Sequence, residues 1–407
     1  MTTESNGHET SIGALDGLLV LDHTTALAGP YGAQLLGDLG AEVIKIERPG
    51  SGDQSRGWGP PFINGESAYF LGTNRNKRSL TLDLSTEAGR EIMHKLIQRA
   101  DVLIHNVPKE RSRQKLGLDY VTCQALNPRL IWATISGFGN SGPYAERPGY
   151  DVIMQAMSGT MYQTGEPDSP PTRFPTPMAD ITTGMYTALA AVTALYARER
   201  TGQGQAIDNA LFDSQVTWLA NVGSSHLITG ESQPKKGNAH PTIATYQPFQ
   251  TQDGWIIIGA GSERLWQKLI QLLGAPELGE DARFTTNADR LAHVDILIPM
   301  MNEYTRQRPT AEWRAILVEG EIPNGVINTP DQALQDEHLI ARGMLVELEH
   351  PATGAYRTIG NPMNLQGTPI TYRRPAPVLG EHSAEILAEL GYTDKQFSAW
   401  QAAGVTG

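Results

Sequence analysis

Short apolar runs alternate with helically spaced apolar positions through the first half of the chain. Leu18-Leu19-Val20-Leu21, ending in Asp22, reads as a buried parallel strand. Ala33, Leu35, Leu36 and Leu39 follow at helical spacing, and Gly40 closes that helix. Val43, Ile44 and Ile46, within 41–47, mark the next strand, completing one βαβ unit. Strand-like segments recur at 79–84, 101–106 and 129–136, with a helix carrying Ile92, Leu96 and Ile97 between the first two. Strands alternating with helices predict an α/β fold, a doubly wound, Rossmann-like parallel sheet.

The pattern then changes. Residues 137–177 are rich in Gly, Pro, Ser and Thr, which predicts a long functional loop holding one short helix at 152–157. A helix is expected over 180–200, closed by Thr201-Gly202-Gln203-Gly204, and another over 214–227. Lys235-Lys236-Gly237-Asn238 looks like a boundary. Beyond it a strand at 254–259 and helices at 264–273, 295–306 and 311–319 suggest a smaller α+β domain at 240–330. A strand-rich piece at 344–359 and a helix at 383–390 complete the chain. The expected division is a tail at 1–14, a large domain from 15–239 and 331–407, and a small domain at 240–330.

Composition narrows the function. The 407 residues carry a net charge of −12, which argues against a general nucleic-acid or membrane-surface binder. Cys123 is the only cysteine, and the ten histidines lack metal-site spacing, so no metal is expected. The first thirteen residues are polar and lack a signal core, and the apolar run from Met185 to Ala197 is too short to span a bilayer. A cytoplasmic location is expected.

Two features carry chemistry. Asp180 opens the apolar stretch at 185–197, and Arg173 is the only cation within ten residues of it. Such a carboxylate either caps a helix or does chemistry. The second feature is the first βα turn. Gly29 and Gly32 are spaced like half of a dinucleotide fingerprint, with Glu47 ending the next strand, but Leu27 stands where the first glycine belongs. That break counts against an NAD-dependent oxidoreductase, which stays the alternative from a different class. Arg48, Arg75, Lys77, Arg78, Lys109, Arg111, Arg113 and Lys115 cluster near strand ends. They suit either a polyphosphate ligand or a solvated surface.

Taken in order, these motifs resemble a family. They are Leu21-Asp22 through Ala28-Gly29-Pro30, 36–50, Asn74-Arg75-Asn76-Lys77-Arg78-Ser79, Ser136-Gly137-Phe138-Gly139, Pro148-Gly149-Tyr150-Asp151, 179–184, 200–205, 237–241 and 379–382. Together they resemble the class III CoA-transferases, the family of formyl-CoA transferase and carnitine CoA-transferase. The resemblance implies a large Rossmann-like domain from both chain ends, a small central domain and an interlocked homodimer.

It also implies Asp180 as the catalytic nucleophile. Leu27, Ala28, Arg48, Asn74, Asn76, Lys77, Asn106, Lys115, Ser136, Gly137, Phe138 and Gly139 align with CoA-contacting positions. Lys115 stands where the family often has arginine. The implied reaction passes CoA between acyl groups through an aspartyl anhydride and an aspartyl-CoA thioester. It uses no permanently bound cofactor, with a coenzyme A thioester as substrate. Expected partners are an acyl-CoA, a carboxylic acid and a second copy of the chain, with no nucleic acid and no membrane. An Asp180 that opens a helix would be kept ionised by the positive helix end, and Gly184 would let CoA approach closely.

A racemase branch acting on 2-methylacyl-CoA carries a histidine base where this chain has Tyr150, which argues against racemisation. The stretches around Trp58, Tyr246 and Gly259 look most like the branch that moves CoA from succinyl-CoA to dicarboxylates. Arg173 is then the candidate for the acceptor's distal carboxylate, unless it is a plain loop charge.

Overall fold

A computed structural model describes residues 13–407. Most of the tail expected over 1–14 lies outside the described residues. They fall into two compact units. One comprises 13–160, Arg173–Ser224 and His338–Gly407; the other comprises Met161–Thr172 and Ser225–Glu337. The expected limits of 240 and 330 both fall inside the second unit, which also takes in a piece of the long loop.

The first unit is built on six strands: β1 (Leu19–His23), β2 (Glu42–Glu47), β3 (Lys77–Thr81), β4 (Val102–His105), β5 (Ile131–Ser136) and β6 (Ala206–Ala210). Their order across the sheet is β3-β2-β1-β4-β5-β6, and every pair is parallel. Successive side chains point to opposite faces, so a strand covered on both sides is apolar along most of its length. Val20, Val43, Val102 and Ile131 enter one core with α1 (Ala28–Asp38). Leu21, Ile44, Leu103 and Trp132 enter the other, with Ile92, Met93, Leu96 and Ile97 of α2 (Glu87–Arg99).

A third helix, α3 (Asp151–Met157), precedes the long α4 (Met178–Thr201). Helix α4 joins the α1 face of the sheet through Ala179, Ala188, Ala191, Ala194 and Leu195. The two helices touch backbone to backbone at a glycine pair. A Cβ at Gly184 would stand 2.6 Å from the Ala28 carbonyl oxygen, and one at Gly32 would stand 2.8 Å from the Gly184 oxygen. Gly184 therefore serves helix packing, which corrects the expectation that it makes room for CoA.

Several local expectations also change. Ala206–Ala210 was not anticipated, because an edge strand with half-exposed positions has no apolar run. The helix expected over 214–227 is broken into Leu211–Val216, a 3₁₀ turn at Thr217–Leu219 and Ala220–Thr229. The piece at 344–359 is an antiparallel hairpin of Leu345–His350 and Gly354–Ile359. A last helix, Asp394–Ala402, starts from a Thr393/Gln396 capping box.

The second unit packs helices Glu263–Leu273, Val294–Thr305 and Thr310–Glu319 around a three-stranded antiparallel sheet of Tyr246–Gln250, Trp255–Gly259 and Asn324–Val326. Phe249, Ile256, Ile258, Trp266, Leu269, Trp313 and Leu317 fill its core. Among the described residues no helix is long and apolar enough to cross a membrane.

Candidate active site

In a parallel sheet, ligands gather beyond the C-terminal ends of the strands. At that end β1 leads through 24–27 into α1, β2 into Arg48, β4 into Asn106 and β5 into Gly137. Asn106 Nδ2 donates to the Thr25 carbonyl at 3.1 Å, tying the loop after β4 to the loop after β1. Ser136 Oγ accepts the Gly139 N–H at 2.9 Å, and Asp208 Oδ2 accepts the Asn140 N–H at 2.8 Å. These bonds fold 136–140 into a fixed turn. Phe138 lies between the rings of Tyr144 and Phe212, with centroids 5.5 and 5.8 Å away. Arg48 and Lys115 are exposed, whereas Leu27 and Ala28 are buried where α1 begins.

Asn74, Asn76 and Lys77 behave differently. Lys77 Nζ donates to Asp22 Oδ2, the Pro30 carbonyl and Asn74 Oδ1, each at 2.8 Å. Asn76 Nδ2 donates to Asp38 Oδ1 and the Thr371 carbonyl, both at 2.8 Å. Asn74 Nδ2 donates to the Phe70 carbonyl at 3.0 Å. All three side chains are buried and engaged within the protein rather than offered to a ligand.

The same holds for two neighbouring cations. Arg75 forms a two-pronged pair with Asp38 at 2.9 and 2.7 Å, and Arg78 pairs with Glu42, Glu385 and Glu389. The expectation that 75–78 present positive charge to a polyanion is thus corrected. A buried cation keeps its charge only beside a carboxylate, and these carboxylates come from distant parts of the chain. Burial raises the Asp22 carboxyl, but Lys45 and then Lys77 outweigh it and hold it at about 2. Burial lowers Lys77 to about 8 despite Asp22, which leaves it mostly charged at neutral pH.

Asp180 is the third residue of α4, and Pro177 occupies the cap position with no side-chain cap. The helix-cap role for Asp180 is therefore excluded. The group that meets the first turn is Asp151, whose Oδ1 accepts the Ala179 N–H at 2.8 Å. Asp151 Oδ2 accepts Gln155 Nε2 at 2.7 Å, and Gln155 Oε1 in turn accepts the Phe174 N–H at 2.9 Å. Next along α4, Thr182 Oγ1 accepts the Trp218 indole N–H at 2.8 Å.

Asp180 itself is partly exposed, and its carboxylate has no hydrogen bond or ion pair among the described residues. Burial first, and the Asp151 charge second, push it up to about 7. The expectation of a carboxyl kept low by the helix end is overturned. Desolvation and a like charge outweigh a partial charge of about half a unit.

Tyr69 stands in the same electrostatic neighbourhood. Burial, then the Asp180 and Asp151 charges, raise its phenol above the usual range. Trp58 meets it edge-on, with ring centroids 5.0 Å apart. Tyr150 is exposed at the residue before α3, and Arg173 is exposed with no hydrogen bond or ion pair to its guanidinium among the described residues. Asp151 and Tyr69 were absent from the sequence-derived site. Asp151 stands within a recognised motif, but only the fold brings its side chain to α4.

The site offers a half-buried, unpartnered carboxylate at a helix start, beside a neutral phenol. Such a carboxylate can attack a carbonyl carbon once deprotonated. No group of three or more His, Cys, Asp or Glu side chains placed to hold a metal ion occurs among the described residues.

Residues 15–383 match the sequence profile of CoA-transferase family III. The chain is 40% identical over 382 residues to the succinate–glutarate CoA-transferase of Agrobacterium fabrum, covering 92% of this chain and 95% of that one. It is 39% identical over 379 residues to the acetyl-CoA:oxalate CoA-transferase of Acetobacter aceti, covering 93% and 96%. The crystal structure of a CAIB/BAIF family protein from Brucella suis superposes with a TM-score of 0.85 at 43% identity, covering 93% of this chain and 100% of that one. The unpartnered aspartate thus sits in a sequence and a fold whose relatives move CoA between carboxylic acids, and the chain belongs to CoA-transferase family III.

Proposed function

We propose that the protein transfers CoA from succinyl-CoA to a short dicarboxylic acid in the cytoplasm, with Asp180 as nucleophile. The observation that carries this reading is the state of Asp180, which is desolvated, repelled by Asp151 and offered no cation. A structural carboxylate would have hydrogen-bond partners. The names of the Agrobacterium and Acetobacter relatives pair CoA with glutarate and with oxalate, which supports a dicarboxylate acceptor.

The Asp180 carboxylate attacks the thioester carbonyl, the C–S bond breaks, and CoA thiolate leaves, giving a mixed anhydride. The thiolate then attacks the aspartyl carbonyl and releases succinate, leaving an aspartyl-CoA thioester. The acceptor carboxylate attacks that thioester and expels the thiolate again. Attack of the thiolate on the acceptor's acyl carbon frees the new CoA ester and Asp180. Every step exchanges one activated acyl bond for another, so the sequence balances without an oxidant or hydrolysis. We assign Leu27, Ala28, Arg48, Asn106, Lys115 and the 136–139 turn to CoA, and Tyr150 to the acyl group.

Incubation with succinyl-CoA followed by intact-mass measurement tests the mechanism. An added CoA mass, lost on treatment with hydroxylamine, is expected; a wild-type protein that turns over without any adduct at Asp180 would sink it. Arg173, directly before Phe174 and seven residues before Asp180 on the same segment, is assigned to the acceptor's distal carboxylate. Arg173→Ala should raise the acceptor's KM about tenfold or more while donor-dependent adduct formation continues. Unchanged acceptor kinetics would remove Arg173 from the site.

The assembly is assigned as an interlocked homodimer. Met185, Leu189 and Tyr196 of α4 are 54%, 61% and 66% exposed, which leaves apolar area on the helix that carries the nucleophile. Sedimentation equilibrium should give twice the chain mass of 44.3 kDa; a single-chain mass across the micromolar range would rule the dimer out.

A further inference from the structure

We infer that Asp53 and Lys45 are positioning residues for the CoA thioester, holding the backbone of 24–28 in one strained shape beneath it. The inference rests on the CoA-transferase reading above. Ala26 lies in the left-handed region, with φ of 73°. That conformation is unfavourable for a residue with a side chain, so it must be held from outside. The holding group is Asp53, whose Oδ1 accepts the Ala26 N–H at 3.0 Å. The same oxygen accepts the Ser55 N–H at 2.9 Å and the Ser55 hydroxyl at 2.8 Å, which fixes the carboxylate's own direction. Asp53 Oδ2 pairs with Lys45 Nζ at 2.9 Å.

Lys45 Nζ in turn donates to the Thr24 carbonyl at 3.0 Å, and Asp22 Oδ1 accepts the Thr24 N–H at 3.1 Å. Thr24 and Ala26 are thus gripped by three charged side chains, each no more than 1% exposed. Closing a βα turn needs none of this, since a glycine at position 26 would adopt the same φ freely. What the charges add is a single setting for Leu27 and Ala28. Helix α1 has no side-chain cap at Leu27, so the loop alone decides where its first N–H groups point.

The test measures CoA binding to the full-length protein by isothermal titration calorimetry, with melting followed alongside. Asp53→Ala is expected to weaken CoA about tenfold, the scale of one lost charge-assisted hydrogen bond. Asp53→Ala with Lys45→Met should do the same without leaving a lone ammonium buried, which protects the fold. Adding Ala26→Gly to either should recover most of the loss, because glycine needs no holding at this φ. A purely structural ion pair would gain nothing from that third change. CoA affinity within about twofold of wild type in the folded double variant, or no recovery with Ala26→Gly, overturns the inference. Wild-type protein that fails to bind CoA overturns the enzyme reading and this inference together.

Discussion

Asp180→Ala should lower CoA transfer by about four orders of magnitude, measured as succinyl-CoA-dependent thioester formation on a dicarboxylate. The variant should also show no covalent adduct. A residual rate within about tenfold of wild type would exclude Asp180 as the nucleophile. The wild-type pH profile should carry the same signature. With the Asp180 carboxyl at about 7 in the free protein, kcat/KM should fall about tenfold per pH unit below that value and level off above it. Stability should move the opposite way. The folded carboxyl is raised above its unfolded value of 3.8, so its ionised form is a burden that appears as pH climbs from about 4 to 7. Asp180→Asn should therefore be more stable than wild type at pH 8, by roughly 2 kcal/mol after allowance for its partial exposure, and of equal stability to wild type at pH 4.

Lys77→Met should lower unfolding stability by about 3–5 kcal/mol, read from guanidinium denaturation, because Asp22 loses its nearer cation while fully buried. The remaining ammonium of Lys45 stands 3.7 Å from that carboxylate. Adding Asp22→Asn should return a large part of the loss, since the pair is then removed together. Asp22 also gives the wild-type protein an acid-sensitive part of its stability. Its carboxyl is held at about 2, below the unfolded value of 3.8, so it supports the fold above about pH 4 and stops doing so as pH falls toward 2. That acid-dependent part should shrink in Lys77→Met. If Lys77 instead served CoA directly, the substitution would raise the donor's KM and leave stability nearly untouched.

The contrast between these two residues shows what the sequence could and could not reveal. The strands β1, β2, β4 and β5 were legible because a parallel strand covered on both faces carries a near-continuous apolar run. The edge strand Ala206–Ala210 has one half-exposed side and left no such mark. The position of Asp180 was legible through the ordered motifs around it. Its ionisation was not, because both the burial that raises it and the Asp151 charge from another helix exist only in the fold. The lysine and arginines of 75–78 read as ligand cations for a similar reason. Their partners Asp38 and Glu385 lie 37 and 307 residues away, beyond any local pattern. Charge near a strand end carries a direction only once the fold supplies its counter-ion.

The closeness of Asp151 to Asp180 has a consequence for the covalent intermediates. Both the anhydride and the thioester at Asp180 are electrically neutral. Forming either one discharges the repulsion between the two side chains and removes an ion from a poorly solvated place. A more basic carboxylate also makes a less strained acyl donor, worth roughly 1.4 kcal/mol per unit of basicity in the limit of full charge loss. The resting enzyme is thus lifted toward its own intermediates, which flattens the ladder of acyl exchanges so that CoA can travel in either direction as the acids around it dictate.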